Sequence, residues 1–258
     1  MKFLRNLLIR AKDSMSYRFG VFIFPKSHEF GRVRSKIINM LRIRTFIDVG
    51  ANAGQWYLTI HEAHKDANFW CFEPLPEMYT ALAKLASVNG KLRTANLAMS
   101  NFTGKAKLNI SSNKGASSSL QKPSNHLSLH KNIHFENTRE VQVETLDVYF
   151  KDIELESRVY LKMDVQGHEW KVIEGARELL QHIDVIELES SMSPQYEGEI
   201  PHHQLINKIM KLGFVFFCGS KPRTDEQGRQ WDLNSILIRE NLVEHINVKL
   251  NENSHWTV

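Results

Sequence analysis

Cysteine is scarce. The 258-residue chain has two, Cys71 and Cys218, each inside an apolar run (FWCFEP and FVFFCG). Thiols so placed read as small core hydrophobes, not as a disulfide or a metal pair. That usage fits a reducing compartment and hence a cytoplasmic location. No window approaches the ~18 apolar residues of a membrane-spanning helix. The N-terminal MKFLRNLLIRAK lacks the unbroken apolar stretch of a signal peptide, because Arg5 and Arg10 interrupt it. It reads as an amphipathic helix capping the domain. The alternative is peripheral contact with the inner membrane surface through Lys2, Arg5, Arg10 and Lys12. A dense Lys/Arg stripe with interleaved aromatics is also missing, so the formal charge of +4 says little about partners and no nucleic-acid partner is expected. The P-loop pattern G-x-x-x-x-G-K-[ST] is absent, and so is any Tyr-x-x-x-Lys pair of the kind a common class of hydride-transfer enzymes needs.

What is present is a globular composition, 42% hydrophobic and 24% charged, with no internal repeat. Short apolar runs alternate with helical periodicity, which predicts a parallel sheet covered by helices. Strands are expected at 45–49, 68–72, 92–96, 105–110, 141–146, 159–164, 184–189, 214–218 and 235–239. Helices are expected at 54–64, 76–88, 169–181 and 202–211. The polar loop 220–232 joins the last two strands without a helix, so the final strand should be antiparallel. Residues 1–44 form a helical cap, 45–240 the main domain and 241–258 a tail whose end, NENSHWTV, is expected to be mobile. Within the domain, the Ser-, Asn-, His- and Lys-rich stretch 111–138 is long enough to be a lid or binding loop.

Two signals mark a ligand site. The first is Asp48-Val-Gly50-Ala51-Asn52-Ala-Gly54-Gln55, between the first strand and its helix. Its glycines allow a sharp turn and close backbone approach, and the helix start offers N–H groups. The second is Glu73, just past the second strand, where a carboxylate can accept both hydroxyls of a ribose. Asn52 occupies the place of the second glycine in a dinucleotide fingerprint, which argues against a pyrophosphate there.

Longer matches accompany these signals: FIDVGANAGQW (46–56), FEPLPEMY (72–79), NLAMS (96–100), VETLD (143–147), LKMDVQGHEWKVIEGA (161–176) and IELESSMSPQYEGE (186–199). Together they resemble the FkbM family of methyltransferases over roughly residues 45–240. The last piece resembles the branch that O-methylates sugars of bacterial glycolipids and surface polysaccharides. Gln166 departs from the pattern, since many members carry Glu there. The resemblance implies a Rossmann-like class I methyltransferase fold: a mostly parallel seven-stranded sheet, an antiparallel last strand and helices on both faces. It implies S-adenosylmethionine as methyl donor, a hydroxyl acceptor and a glycan or glycolipid partner. A small-metabolite or polyketide hydroxyl stays open, as does a non-catalytic donor-binding subunit. Carried over by residue, Asp48, Gly50, Ala51, Asn52, Gly54 and Gln55 should line the methionine end of the donor. Glu73 should hold the ribose, Asn96 and Ala98 should border the adenine, and Asp164 should face the donor amino group or the acceptor.

A sugar hydroxyl is a poor nucleophile, so a base is expected. Asp164, His168 and Glu189 are the candidates at strand ends. Ser118, Ser119, Tyr196 and Trp231 are expected to meet the acceptor. A divalent metal held by Asp164 and Glu189, with or without Asp232, is an alternative and not the expectation. His126, His130 and His134, spaced by four, lack companion ligands and are not read as a zinc site. His61, His64, His202 and His203 read as helix-surface residues.

Overall fold

The computed structural model describes residues 29–125, 132–156, 158–224, 228–244 and 246. The basic residues 2–12, His126, His130 and the tail 251–258 lie outside the described residues, and with them the membrane-contact and tail expectations. No helix among the described residues is long and apolar enough to cross a membrane.

The chain forms α1 (Glu29–Leu41), β1 (Thr45–Val49), α2 (Gln55–His61), β2 (Asn68–Phe72), α3 (Pro76–Ala86) and β3 (Leu92–Ala95). Then come β4 (Ala98–Met99), β5 (Gly104–Ser111), β6 (Phe135–Glu144), α4 (Leu146–Phe150), β7 (Val159–Met163) and α5 (Glu169–Glu174). A 3₁₀ turn (Leu179–His182), β8 (Ile183–Ser191), α6 (His202–Met210), β9 (Phe214–Gly219), β10 (Arg223–Thr224) and β11 (Gln230–Arg239) complete it.

The strands β1, β2 and β7 are buried at every position, which is why they read as continuous apolar runs. The main sheet runs β3-β2-β1-β7-β8-β11, with β9 and β10 both paired to β11. Strands β1, β2, β3, β7 and β8 are parallel, and β11 is antiparallel to β8 and β9. This is the expected seven-stranded sheet with one addition, the two-residue β10 inside the 220–232 loop. The order of strands reverses between β1 and β7, the place where open α/β sheets bind ligands.

One face of the sheet packs α4, α5, the 3₁₀ turn and α6 around Leu161, Val172, Ile186 and Ile209. The opposite face packs α1, α2 and α3 around Ile37, Tyr57, Phe69 and Leu82. There Phe46 stacks on Phe69 with ring centroids 4.8 Å apart. Burying each such side chain contributes about 1.5–3 kcal/mol.

Three segments depart from the expectations. The helix expected over 169–181 stops at Gly175, where a Cβ would lie 1.9 Å from the Ser100 carbonyl oxygen, and resumes as the 3₁₀ turn. The strand expected at 141–146 instead ends at Glu144, because Thr145 caps α4 by accepting from the Val148 N–H at 3.1 Å. It also begins earlier, at Phe135, so the end of the 111–138 segment is strand. Strands β4, β6 and β5 form a separate three-stranded sheet with its own small core of Leu75, Ala98, Leu108, Val141 and Val143. Both cysteines are free, Cys71 buried and Cys218 half-buried.

Candidate active site

A cleft of about 380 Å³ opens at the carboxyl ends of β1, β2 and β7. Its floor is the turn after β1. Gly50 adopts φ +78°, and a Cβ on it would lie 2.0 Å from the carbonyl oxygen of Asp164. Only glycine fits there, on both counts. The Gly50 and Ala51 N–H groups both donate to the Phe72 carbonyl (3.1 and 3.0 Å), which ties the turn to β2. Asn52 is also left-handed, φ +49°, a conformation asparagine tolerates, and its side chain accepts from the Ala53 N–H at 2.8 Å. Ala51, Asn52 and Gln55 line the cleft.

Glu73 lines it from the β2 side, 5% exposed. One carboxylate oxygen accepts from the Asn52 N–H and the other from the Leu75 N–H, both at 2.8 Å. Burial pushes this carboxyl up to about 7, with the two N–H donors pulling the other way. Leu97, Ala98 and Met99 supply an apolar wall.

Three of the expected donor contacts sit elsewhere. Asp48 is fully buried beneath the turn and ion-pairs with Lys162 at 3.0 Å. The pairing of β1 with β7 sets Asp48 directly opposite Lys162. Gly54 faces α3, where a Cβ would meet Leu85 at 2.8 Å and Leu82 at 3.0 Å. Asn96 spends its amide on the carbonyls of Glu73 (2.8 Å) and Pro74 (3.0 Å), so it braces the loop that carries Glu73.

Lys162 itself lines the cleft and was not singled out in the sequence. Burial works against its charge, but Asp48 and Asp164 outweigh that and hold the ammonium above its ordinary range. A lysine in a strand whose every position is buried is the signal that marks it. Arg34 of α1 was missed as well. It donates to Glu187 at 2.9 Å, Tyr160 O–H donates to the other oxygen of Glu187 at 2.6 Å, and Arg34 and Glu187 both line the cleft.

A second hollow, of about 360 Å³, adjoins the first, and Asp164, Gln166 and Glu189 line both. Asp164 is at the tip of β7 with its side chain 36% exposed. Gln166 donates to Asp164 Oδ1 at 2.7 Å, while Tyr196 O–H lies 3.2 Å from the Gln166 side-chain oxygen. An amide suits that place, since it can donate to a carboxylate and accept from a hydroxyl; a second carboxylate would meet the first head-on. Glu169 accepts from the Val165 and Gly167 N–H groups (3.1 and 3.3 Å) and holds the loop in shape. Burial, with Glu199 and Asp164 nearby, pushes Glu169 up to about 8.

Of the three candidate bases, His168 lines the first cleft but is nearly buried. It is 9% exposed, its Nε2 lies 2.9 Å from Ser100 Oγ, and burial pulls it down to about 4. Glu189 is pushed up to about 8 by burial and by Asp164, against the pull of Arg223. Arg223, on β10, donates to Glu189 at 2.5 Å and to both oxygens of Asp232 at 2.5 and 2.7 Å. The guanidinium thus stands between two of the three carboxylates considered for a metal. Among the described residues no three or more His, Cys, Asp or Glu side chains are placed to hold one metal ion.

The described part of the 111–138 segment covers both hollows. Ser118 and Ser119 line the first cleft. Ser119 Oγ donates to the Gln166 carbonyl at 2.8 Å, and Ser118 Oγ accepts from the Ser111 N–H at 3.0 Å. Tyr196, 3% exposed, donates to the Ser117 carbonyl at 2.8 Å and so anchors this cover from the other side. Trp231 is in neither lining; it lies within β11, its carbonyl accepting from the Met192 N–H at 2.7 Å. Of the four histidines read as surface residues, His61, His64 and His202 are half-buried and only His203 is exposed; His202 Nδ1 lies 2.8 Å from Ser190 Oγ.

The family model described as the methyltransferase FkbM domain matches residues 48–216. The 2-O-methyltransferase NoeI of Sinorhizobium fredii is 28% identical over 192 residues, covering 71% of this chain and 79% of that protein. Among solved structures, an rRNA methylase from Streptococcus thermophilus aligns with 84% of this chain and 98% of its own, at TM-score 0.46 and 9% identity. TrmK of M. capricolum, in complex with S-adenosyl-homocysteine, aligns with 81% of this chain and 67% of its own, at TM-score 0.42 and 11% identity.

Proposed function

The chain belongs to the FkbM methyltransferase family, and from that premise we propose that it moves a methyl group from S-adenosylmethionine to a sugar hydroxyl of a glycolipid or surface polysaccharide. The observation that carries this reading is the junction of two hollows at Asp164, Gln166 and Glu189. One hollow suits a nucleoside with an amino-acid tail, and the other is polar and opens beside it.

The donor cleft fits S-adenosylmethionine on three features: a floor of backbone at the Gly50 turn, a buried carboxylate at Glu73, and an apolar wall at 97–99. Glu73 would hold the ribose hydroxyls, and Leu97 and Ala98 would border the base. Bound there, the donor supplies a methyl group on a sulfonium, whose sulfur leaves readily. Much of the catalysis is therefore positioning. Asp164, reachable from both hollows and aimed by Gln166, accepts the proton of the acceptor hydroxyl as its oxygen takes the methyl group. Glu189, held by Arg223, accepts a hydrogen bond from another hydroxyl of the acceptor. Lys162 keeps the loops after β1 and β7 together through Asp48 and through the Gly50 carbonyl, 3.3 Å away.

The test is calorimetry with S-adenosylmethionine followed by mass spectrometry of a panel of methyl glycosides. Donor binding and a product heavier by one methyl are expected. Asp164→Ala should keep donor binding and lose turnover by about 10²–10⁴-fold. Absence of donor binding overturns the reading. Donor binding with no product on any acceptor leaves a binding subunit in place of an enzyme.

A further inference from the structure

The second hollow has an unbalanced chemistry. Carboxyls of Asp164, Glu169, Glu189, Glu199 and Asp232 line it, and Arg223 is the one cation among its described lining residues. That cation is already committed, with donors on Glu189 and on both oxygens of Asp232. An anionic group arriving with the acceptor would have to share an exposed guanidinium already paired with two carboxylates and lie against the remaining carboxylates, which is unfavourable. Hydroxyl and ammonium groups are donors, and the walls are rich in acceptors for them. The groups in the hollow respond to the same field: burial and neighbouring carboxylates hold both Glu189 and Tyr196 above their ordinary values.

Resting on the sugar-acceptor reading above, we propose that this hollow selects a sugar ring that is neutral or amino-bearing and rejects one that carries a carboxylate or phosphate. The selectivity is electrostatic and set by Arg223 being held between Glu189 and Asp232.

The experiment compares methyl glucoside, its 2-amino analogue and methyl glucuronide at neutral pH with saturating S-adenosylmethionine, following methylated product. The uronide should show kcat/KM about tenfold or more below the neutral glycoside. The gap should narrow as salt is added, because screening weakens repulsion. It should also narrow in Asp232→Asn, which loosens one of the two holds on Arg223. A uronide methylated as fast as the neutral sugar overturns this proposal and leaves the sugar-acceptor reading standing. A gap unmoved by both salt and Asp232→Asn assigns the rejection to shape and overturns it too. The salt series on the unmodified protein decides the matter alone if Asp232→Asn does not fold. A protein that binds donor yet methylates no glycoside ends the sugar-acceptor reading itself, and this inference with it.

Discussion

Glu73 spends one lone pair of each carboxylate oxygen on a backbone N–H and keeps further accepting capacity at the cleft wall. Ribose hydroxyls donate, so they bind the ionised form. With its carboxyl at about 7, ionisation goes from roughly one-tenth at pH 6 to nine-tenths at pH 8. Affinity for S-adenosylmethionine is therefore expected to rise by about tenfold across that range, and Glu73→Gln should flatten the dependence; calorimetry at the two pH values measures both. An affinity indifferent to pH in the unmodified protein would place the ribose elsewhere. Glu73 was legible in the sequence because its position, one residue past a buried strand, carries the meaning. Asp48 and Gly54 were legible as important, and in the structure both serve the turn from behind. Lys162 and Arg223 were not singled out. Their partners depend on strand register and on a two-residue strand, and nothing local in LKMD or KPRT announces either.

The cover and the loop after β8 work as one laced element. Ser124 N–H donates to the Gln195 carbonyl (2.9 Å), Glu197 N–H donates to the Lys122 carbonyl (2.8 Å), and Tyr196 O–H reaches Ser117. Tyr196→Phe leaves the Ser117 carbonyl without that donor, at a cost of about 1–2 kcal/mol. Faster amide exchange over 115–121 is the expected outcome, with a higher KM for acceptor and little change in donor affinity. Exchange confined to its former rate would show that the lacing holds without the hydroxyl. At this scale the sequence conveyed strand existence well, since buried parallel strands are unbroken apolar runs. It over-extended the helix after β7 because apolar periodicity continues through Gly175, whereas in the structure the Gly175 carbonyl accepts from the Asp147 N–H and the Asp147 carboxylate accepts from the Glu178 and Leu179 N–H groups, which starts a new turn there. The cover was visible as a long polar stretch, but not that its serines would be buried by bonding to one another and to the β7 loop.

Over the whole molecule, buried carboxyls held above their ordinary range give stability a definite pH trend. Glu169 is pushed up to about 8 and Glu73 to about 7, each from an ordinary 4.5. These two groups thus keep protons that the unfolded chain has lost, and their contribution falls as pH rises from about 5 through 8; His168, held down to about 4, works the other way only below its ordinary 6.5, so the net fall is expected from about pH 6.5 upward. Urea unfolding should show a lower midpoint at pH 8.5 than at pH 6. Glu169→Gln keeps an oxygen for the Val165 and Gly167 N–H groups and should narrow that difference; equal midpoints in the unmodified protein would mean that ionised Glu169 is fully compensated where it lies. One further consequence follows from Gly50 lying against the Asp164 carbonyl with no room for a methyl group between them. The two loops share a seam without slack, so the spacing between the turn after β1 and Asp164 is set by backbone and not by side-chain packing. Retargeting this scaffold to a different acceptor is then a matter of recutting the cover and the strand that carries Arg223, while the seam passes unchanged from one design to the next.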